Sequence, residues 1–277
     1  MPVLRSRVRL EADRRAVAGM LRDTQLTAVA LERAGHLLHG ERRLLVAGDE
    51  VRLSARLTPG VAVPLHVRVH AVSPGGLASS LLNGTLLRLE HVASIADEGK
   101  VVEVHDEVRW GGPVGRAADR LVARFVRDVL AARAQALRER AAALVDLPVV
   151  VATALVRDGC VLAAQRTRPA ALAGRWELPG GRVEPGESEA AAVVRECREE
   201  LGALVIASSR LATDLPIDVG VLRVHVARLA PESPEPAAIE HSALRWLGPA
   251  QLDVLDWVDA DRAVIEDVRA LLMTGGW

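Results

Sequence analysis

Residues 180–203 read GGRVEPGESEAAAVVRECREELGA, and three of their carboxylates are spaced to act together. The first half of the segment is rich in turn formers. The second half is Ala, Val and Glu, which favours a helix, and Gly202 stands where a helix stops. On that helix Glu196, Glu199 and Glu200 fall at i, i+3 and i+4 and share one face. Carboxylates so crowded repel one another and raise each other's pKa unless a cation neutralises them. A set of oxygen ligands alone suits magnesium, or manganese in its place. Taken by itself, such a stripe reads equally as a solvated acidic face. Cys160 and Cys197 are the only cysteines; they lack CxxC spacing and point to neither zinc nor a disulfide scaffold. Cys197 falls on the apolar side of the helix and reads as core.

The chain has 277 residues, half of them hydrophobic and 26% charged, enough for two globular domains and too apolar for wholesale disorder. With 35 Lys and Arg against 36 Asp and Glu, the net charge is -1. That balance lacks the basic footprint of a protein held on nucleic-acid phosphates, so no polymeric nucleic acid is expected as the main partner. No apolar leader opens the chain. The most apolar stretch, LVDLPVVVATALV (144–156), is short and broken by Asp146 and Pro148, so no membrane partner and a cytoplasmic location are expected. Lys100 is the sole lysine, Phe125 the sole Phe, and Tyr is absent. Packing must then come from Ala, Val and Leu, and each of the five Trp is worth placing individually.

The first half opens with a strand at Val8 and Leu10 and a helix-like stretch over 13–34. EVRLSARL and PLHVRVHAV then alternate with period two, and TLLRLEHV (85–92) and KVVEVHDEVRW (100–110) read as further strands. Asn83-Gly84 and Glu98-Gly99 are turn-like punctuation between them, so a five- or six-stranded antiparallel sheet follows. His66, Arg68 and His70 share one strand face, which either is solvated or lines a cavity. After Gly111-Gly112-Pro113 a helix runs to about Ala143, with Leu121, Phe125, Val129 and Leu137 among its apolar positions. On the segment DEVRWGGPVGRAADRLVARFVRDVLAARAQALRERA, about the first 145 residues resemble the START/polyketide-cyclase-like (SRPBCC) superfamily. That resemblance implies a helix-grip fold, a curved antiparallel sheet closed around a long C-terminal helix, and identifies no ligand. The expected chain is α+β with two domains, 1–145 and 146–277, and a boundary near 144–147.

Gly181, Glu187, Arg195, Glu196, Glu199, Glu200 and Gly202 match the Nudix box at its fixed positions, with Cys197 and Ala203 at two usually aliphatic ones. The resemblance narrows to MutT-type nucleoside triphosphate pyrophosphohydrolases over about 148–273. It is supported by AAQRTRPAALAGRWELPGG, EHSALRWL and LDWVDADRAVIEDV. The fold implied is an α/β/α sandwich around a mixed sheet. The resemblance also implies magnesium on Glu196, Glu199 and Glu200, aided by a backbone carbonyl of Gly180 or Gly181. Glu240, six residues before Trp246, corresponds to a further acid that ligates metal or orients water. The base is then Glu199, Glu200 or Glu240. Glu187 and Arg195 correspond to an internal ion pair. Arg166 corresponds to a phosphate- or sugar-contacting residue, with ordinary surface charge as the alternative.

The reaction implied is hydrolysis of a nucleoside triphosphate to monophosphate and pyrophosphate. Asp261 matches a base-reading amide position of the 8-oxoguanine-cleaning relatives. An ionised Asp only accepts hydrogen bonds, which favours cytosine N4 over a purine O6; helix capping is the competing role. Trp176 and Trp257 either stack on the base or pack in the core. Two rival readings remain: ADP-ribose or a nucleotide sugar as substrate, and a regulatory module taking a small apolar ligand in its N-terminal domain.

Overall fold

The computed structural model describes residues 1–40, 43–58, 61–82, 87–97, 101–113, 116–144, 147–211, 213–217 and 219–275. The expected turns at Asn83-Gly84 and Glu98-Gly99, the sole lysine Lys100 and the start of the strand expected from Thr85 lie outside them, as do Val145 and Asp146 at the expected boundary. The chain divides into two compact units, Met1–Asp146 and Leu147–Trp277.

In the first unit, β1 (Val3–Leu10) leads into α1 (Arg14–Arg22) and α2 (Thr24–Arg33). The single stretch expected over 13–34 is thus two helices. Asp23 causes the break: its backbone is extended, and its carboxylate accepts from Gln25 N at 2.8 Å to cap the second helix, as Asp13 caps the first. Six strands follow: β2 (Leu37–His39), β3 (Glu50–Thr58), β4 (Val61–Ser73), β5 (Gly76–Leu81), β6 (Arg88–Asp97) and β7 (Val102–Gly111). They pair antiparallel in the order β1-β7-β6-β5-β4-β3-β2, and the long helix α3 (Arg116–Leu144) ends the unit. Period-two burial is cleanest in β7, where Val102, Val104, Val108 and Trp110 point inward. Asp106 sits in that same row, a charge on the apolar face, and is 1% exposed. Leu21 of α1, Leu137 of α3, and Val8 and Val104 of the sheet share one buried cluster.

The second unit comprises β8 (Val149–Arg157), β9 (Cys160–Gln165), β10 (Trp176–Glu177), β11 (Gly180–Arg182), α4 (Glu189–Leu201), β12 (Val205–Arg210), β13 (Leu215–Ile217), β14 (Gly220–Leu229), β15 (Ala243–Leu247), a 3-10 turn (Pro249–Val254) and α5 (Asp259–Thr274). Its sheet is mixed: β14 runs parallel to β8, with Val221 opposite Val149, while the other described pairings are antiparallel. Six consecutive residues of β8, Val151 to Val156, are buried, so both of its faces are covered. Ala192, Val193, Cys197 and Leu201 of α4 pack on Val151 and Leu155 of that strand, which places Cys197 in the core. Leu155 is fully buried at this contact. Leu155→Ala is expected to lower the stability of this unit by about 3 kcal/mol in urea denaturation, through lost burial and the cavity left behind.

Candidate active site

Strand β11 and helix α4 bring the acidic residues together. Ser188 caps α4, its hydroxyl accepting from Ala191 N at 3.2 Å, and Gly202 closes it in the left-handed conformation at φ 63°. Gly180 takes φ 155°, and a side chain there would overlap the Val151 carbonyl of β8. A side chain on Gly181 would instead overlap the Glu196 carboxylate. The two glycines therefore let the strand end lie against the acidic face of the helix.

Glu200 is half-buried, and its Oε2 accepts from Gly180 N at 3.0 Å. Burial pushes its carboxyl up to about 7; Glu177 and Glu196 add to the shift, while His241 and the Gly180 hydrogen bond oppose it. Glu196 is raised as well, first by burial and then by Glu199 and Glu187, against the pull of Arg195. Glu199 lies on the exposed side of the same face. One guanidinium balances this cluster: Arg195 donates to Glu187 through Nε and Nη2, both at 3.0 Å, to Glu196 at 2.8 Å and to Glu199 at 3.1 Å. The expected Glu187–Arg195 pair is therefore present, and it also reaches two of the expected metal ligands.

Among the described residues no three His, Cys, Asp or Glu side chains converge as a formed cation cage. The donor chemistry nevertheless fits a hard divalent cation, because two carboxylates held at raised pKa beside a backbone turn form an oxygen-only set that such a cation relieves. Occupation would require Glu196 and Glu199 to exchange Arg195 for the metal.

A NUDIX domain family model matches residues 147–268. A Mycobacterium tuberculosis protein whose name reads "Putative 8-oxo-dGTP diphosphatase 2" is 46% identical over 127 residues, covering 45% of this chain and 89% of that one. The chain belongs to the Nudix family. Escherichia coli CTP pyrophosphohydrolase is 36% identical over 123 residues, 44% of this chain and 91% of that one. The solution structure of the E. coli ORF135 protein is 35% identical, covers 45% of this chain and 90% of its own, and superposes with a TM-score of 0.40.

Around the Nudix helix, four sequence expectations require correction. Glu240 does not join the other carboxylates; its side chain is 46% exposed and accepts from Arg168 Nη2 at 2.9 Å. The inward residue is its neighbour His241, buried, with Nε2 3.0 Å from Glu177 Oε1. Arg166 is not free surface charge, for it is ion-paired with Glu177 and donates through Nε to Arg168 O at 3.0 Å. Trp257 is 2% exposed and donates from Nε1 to Leu252 O at 2.6 Å, so it is core and presents no face for stacking. Asp261 does not cap α5, whose N-cap is Val258. It is 5% exposed, accepts from the Leu178 backbone N–H, and leaves Oδ1 without a partner among the described residues. Burial, assisted by Glu177, drives its carboxyl well above the usual range. The shift works against the ionised form on which the expectation of an acceptor-only Asp261 depends.

Glu177 and His241 are functional candidates that sequence reasoning missed. Burial alone would lower the His241 imidazole, but its Glu177 hydrogen bond and the Glu200 and Glu177 charges raise it. Glu177 thus links Arg166, His241 and, through its charge, Glu200 and Asp261. One sign could have flagged it: an acid directly beside Trp176 in an otherwise apolar and glycine-rich segment.

The raised Glu200 makes stability depend on pH. Its carboxyl titrates near 7 in the fold and near the ordinary value when unfolded, so its contribution is complete below about pH 4.5 and is lost as pH rises through 7. In metal-free buffer at pH 8, Glu200→Gln is expected to be more stable than the unaltered protein by on the order of 2 kcal/mol. The gap should close at pH 4.5, as read by urea denaturation at the two pH values.

Proposed function

We propose that the C-terminal unit hydrolyses nucleoside triphosphates to monophosphate and pyrophosphate, and that it cleans the pool of cytosine or 8-oxoguanine nucleotides. The observation that carries this reading is the glycine turn laid against the Glu196 and Glu200 carboxylates. Magnesium, or manganese, held by Glu196, Glu199, Glu200 and a carbonyl of Gly180 or Gly181, would neutralise the triphosphate and the charge developing on it. One water adds to phosphorus, the anhydride P–O bond breaks, and the water's proton leaves to a carboxylate. The candidate bases that take this proton are Glu199, Glu200 and Glu240. Glu240 is engaged by Arg168 at the rim and steers the loop that carries His241. Glu177 orients His241 behind Glu200.

Asp261 is assigned to base reading. A buried carboxyl with one uncommitted oxygen, pushed toward its neutral form, would supply a donor and an acceptor, which suits the N4 and N3 edge of cytosine and also the O6 and N1 edge of an oxidised guanine. The relatives' names divide the same way, one for 8-oxo-dGTP and one for CTP.

We further infer that residues 1–145 and 146–277 are separate domains, the first of them a START/polyketide-cyclase-like helix-grip domain. Seven antiparallel strands followed by a 29-residue helix support that fold. A cavity of about 160 Å³, lined mostly by apolar side chains such as Leu45, Val69 and Phe125, supports a small apolar ligand there. His66, Arg68 and His70 are not among its lining residues; Arg68 and His70 face outward, bonded to Glu50 and Ser80. Two free cysteines, and no described helix long and apolar enough to cross a membrane, support a cytoplasmic location.

With magnesium, purified full-length protein is expected to release pyrophosphate from dCTP, 5-methyl-dCTP, CTP or 8-oxo-dGTP in preference to dGTP and ADP-ribose. Glu200→Gln is expected to lower turnover by about 10² to 10⁴ with the fold intact by circular dichroism. Preferred cleavage of ADP-ribose, or unchanged turnover in that variant, overturns the reading. Expressed apart, residues 1–145 and 146–277 should each give a cooperative unfolding transition; two aggregating halves would refute the division.

A further inference from the structure

The N-terminal cavity holds a buried charge that its own protein does not fully use. Its lining comes from α1, α2, the sheet and α3, and its polar members are Thr27, Ser79, His91 and Arg133. Thr27 donates its hydroxyl to Asp23 O at 3.2 Å, and His91 Nε2 lies 2.8 Å from Asp106 Oδ1. Arg133, on α3, is 6% exposed; its Nε lies 3.4 Å from the same Asp106 oxygen, an ion-pair distance without hydrogen-bond alignment. Its Nε and Nη2 make no hydrogen bond among the described residues. A guanidinium left so far short of its five donors is costly inside a protein, and a ligand acceptor would relieve it.

The charge balance narrows the class of acceptor. Burial works to raise the Asp106 carboxyl, but Arg133 and the His91 hydrogen bond outweigh it and hold the group below its usual range, so Asp106 is ionised. Asp106 therefore already neutralises Arg133. A ligand carboxylate would bury a second anion against one guanidinium, which is expensive, whereas a neutral carbonyl oxygen accepts from the spare donors at no charge cost. The volume sets the size: about 150 Å³ of apolar cavity is enough to hold benzene, and this one is about 160 Å³.

We propose that the N-terminal unit binds a small molecule with an apolar body of about one ring and a neutral carbonyl group, ketone, ester or amide, received by Arg133 in the cavity. This rests on the apolar-ligand reading of that unit given above and adds the acceptor and the residue that reads it.

The test is isothermal titration of the full-length protein with three ligands of nearly equal shape: acetophenone, ethylbenzene, which lacks the oxygen, and benzoate, which carries the charge. Acetophenone is expected to bind tightest, about tenfold or more over ethylbenzene, as a hydrogen bond from a charged donor gives. Arg133→Lys keeps the charge opposite Asp106 but removes the guanidinium fork, and should erase the preference for acetophenone over ethylbenzene. Equal binding of acetophenone and ethylbenzene would leave the apolar cavity in place and overturn the role of Arg133. Tightest binding of benzoate would overturn the neutral-carbonyl class. No binding of any of the three would overturn the ligand-binding reading itself. Because the comparison is made on the unaltered protein, it stands even if Arg133→Lys fails to fold.

Discussion

At Gly180 and Gly181 the backbone passes between the Val151 carbonyl of β8 and the Glu196 carboxylate of α4, in a gap that admits no side chain at Gly180 and, at Gly181, only one that displaces the Glu196 carboxylate. The rest of the C-terminal unit follows from that close approach. With the turn so near, Glu200 finds a backbone donor and loses water, and the loss of water is the first cause of its elevated carboxyl. A helix set farther out would keep its glutamates solvated and ordinary. The packing of Ala192, Val193, Cys197 and Leu201 on the sheet fixes how close α4 can come, so small apolar side chains on one face of the helix govern the chemistry of the acids on the other.

Electrostatic compensation in the two units follows one rule with different outcomes. Arg195 serves four partners at once and spends its donors on Glu187, Glu196, Glu199 and the Arg182 carbonyl. Arg133 also sits among acidic and imidazole groups, yet its nearest oxygen is poorly aligned and its donors stay open. The same residue type thus ends with its donors spent in one unit and unspent in the other, decided by the acceptors within reach.

Much of the active site was legible in the chain because its signals are local. The Gly202 stop, the i, i+3, i+4 carboxylates and the Glu187–Arg195 spacing all lie within one turn-helix segment, and the structure forms each of them. What stayed hidden is non-local. Strand β10 has two residues, too few to show a period, so Glu177 could not be placed, and its partner His241 comes from the far side of β14 in the chain. The upward shift of the Asp261 carboxyl was not legible because burial, its first cause, is a property of the packed unit. In the first half, period two located the strands, but the two-helix break at Asp23 needed a capping residue to be recognised inside an unbroken helical composition. Asp106 was visible as a charge within an apolar row of β7, and the meaning of that exception appeared only with Arg133 and His91 beside it.

The parallel contact of β8 with β14 also bears on how the protein is made. Val149 leaves the ribosome long before Val221, and everything between them, β9 through β13 and the acidic helix, must be synthesised before the central strand gains its parallel neighbour. The first unit has the same habit, since β1 waits for β7. Pairings of such high sequence separation are slow to form and leave apolar strand edges open meanwhile. Six buried residues in a row make β8 the most exposed to that delay. β9 and β11, which also pair with β8, and α4, which packs on Leu155, are all complete before β14 and are the partners available to the nascent strand until then.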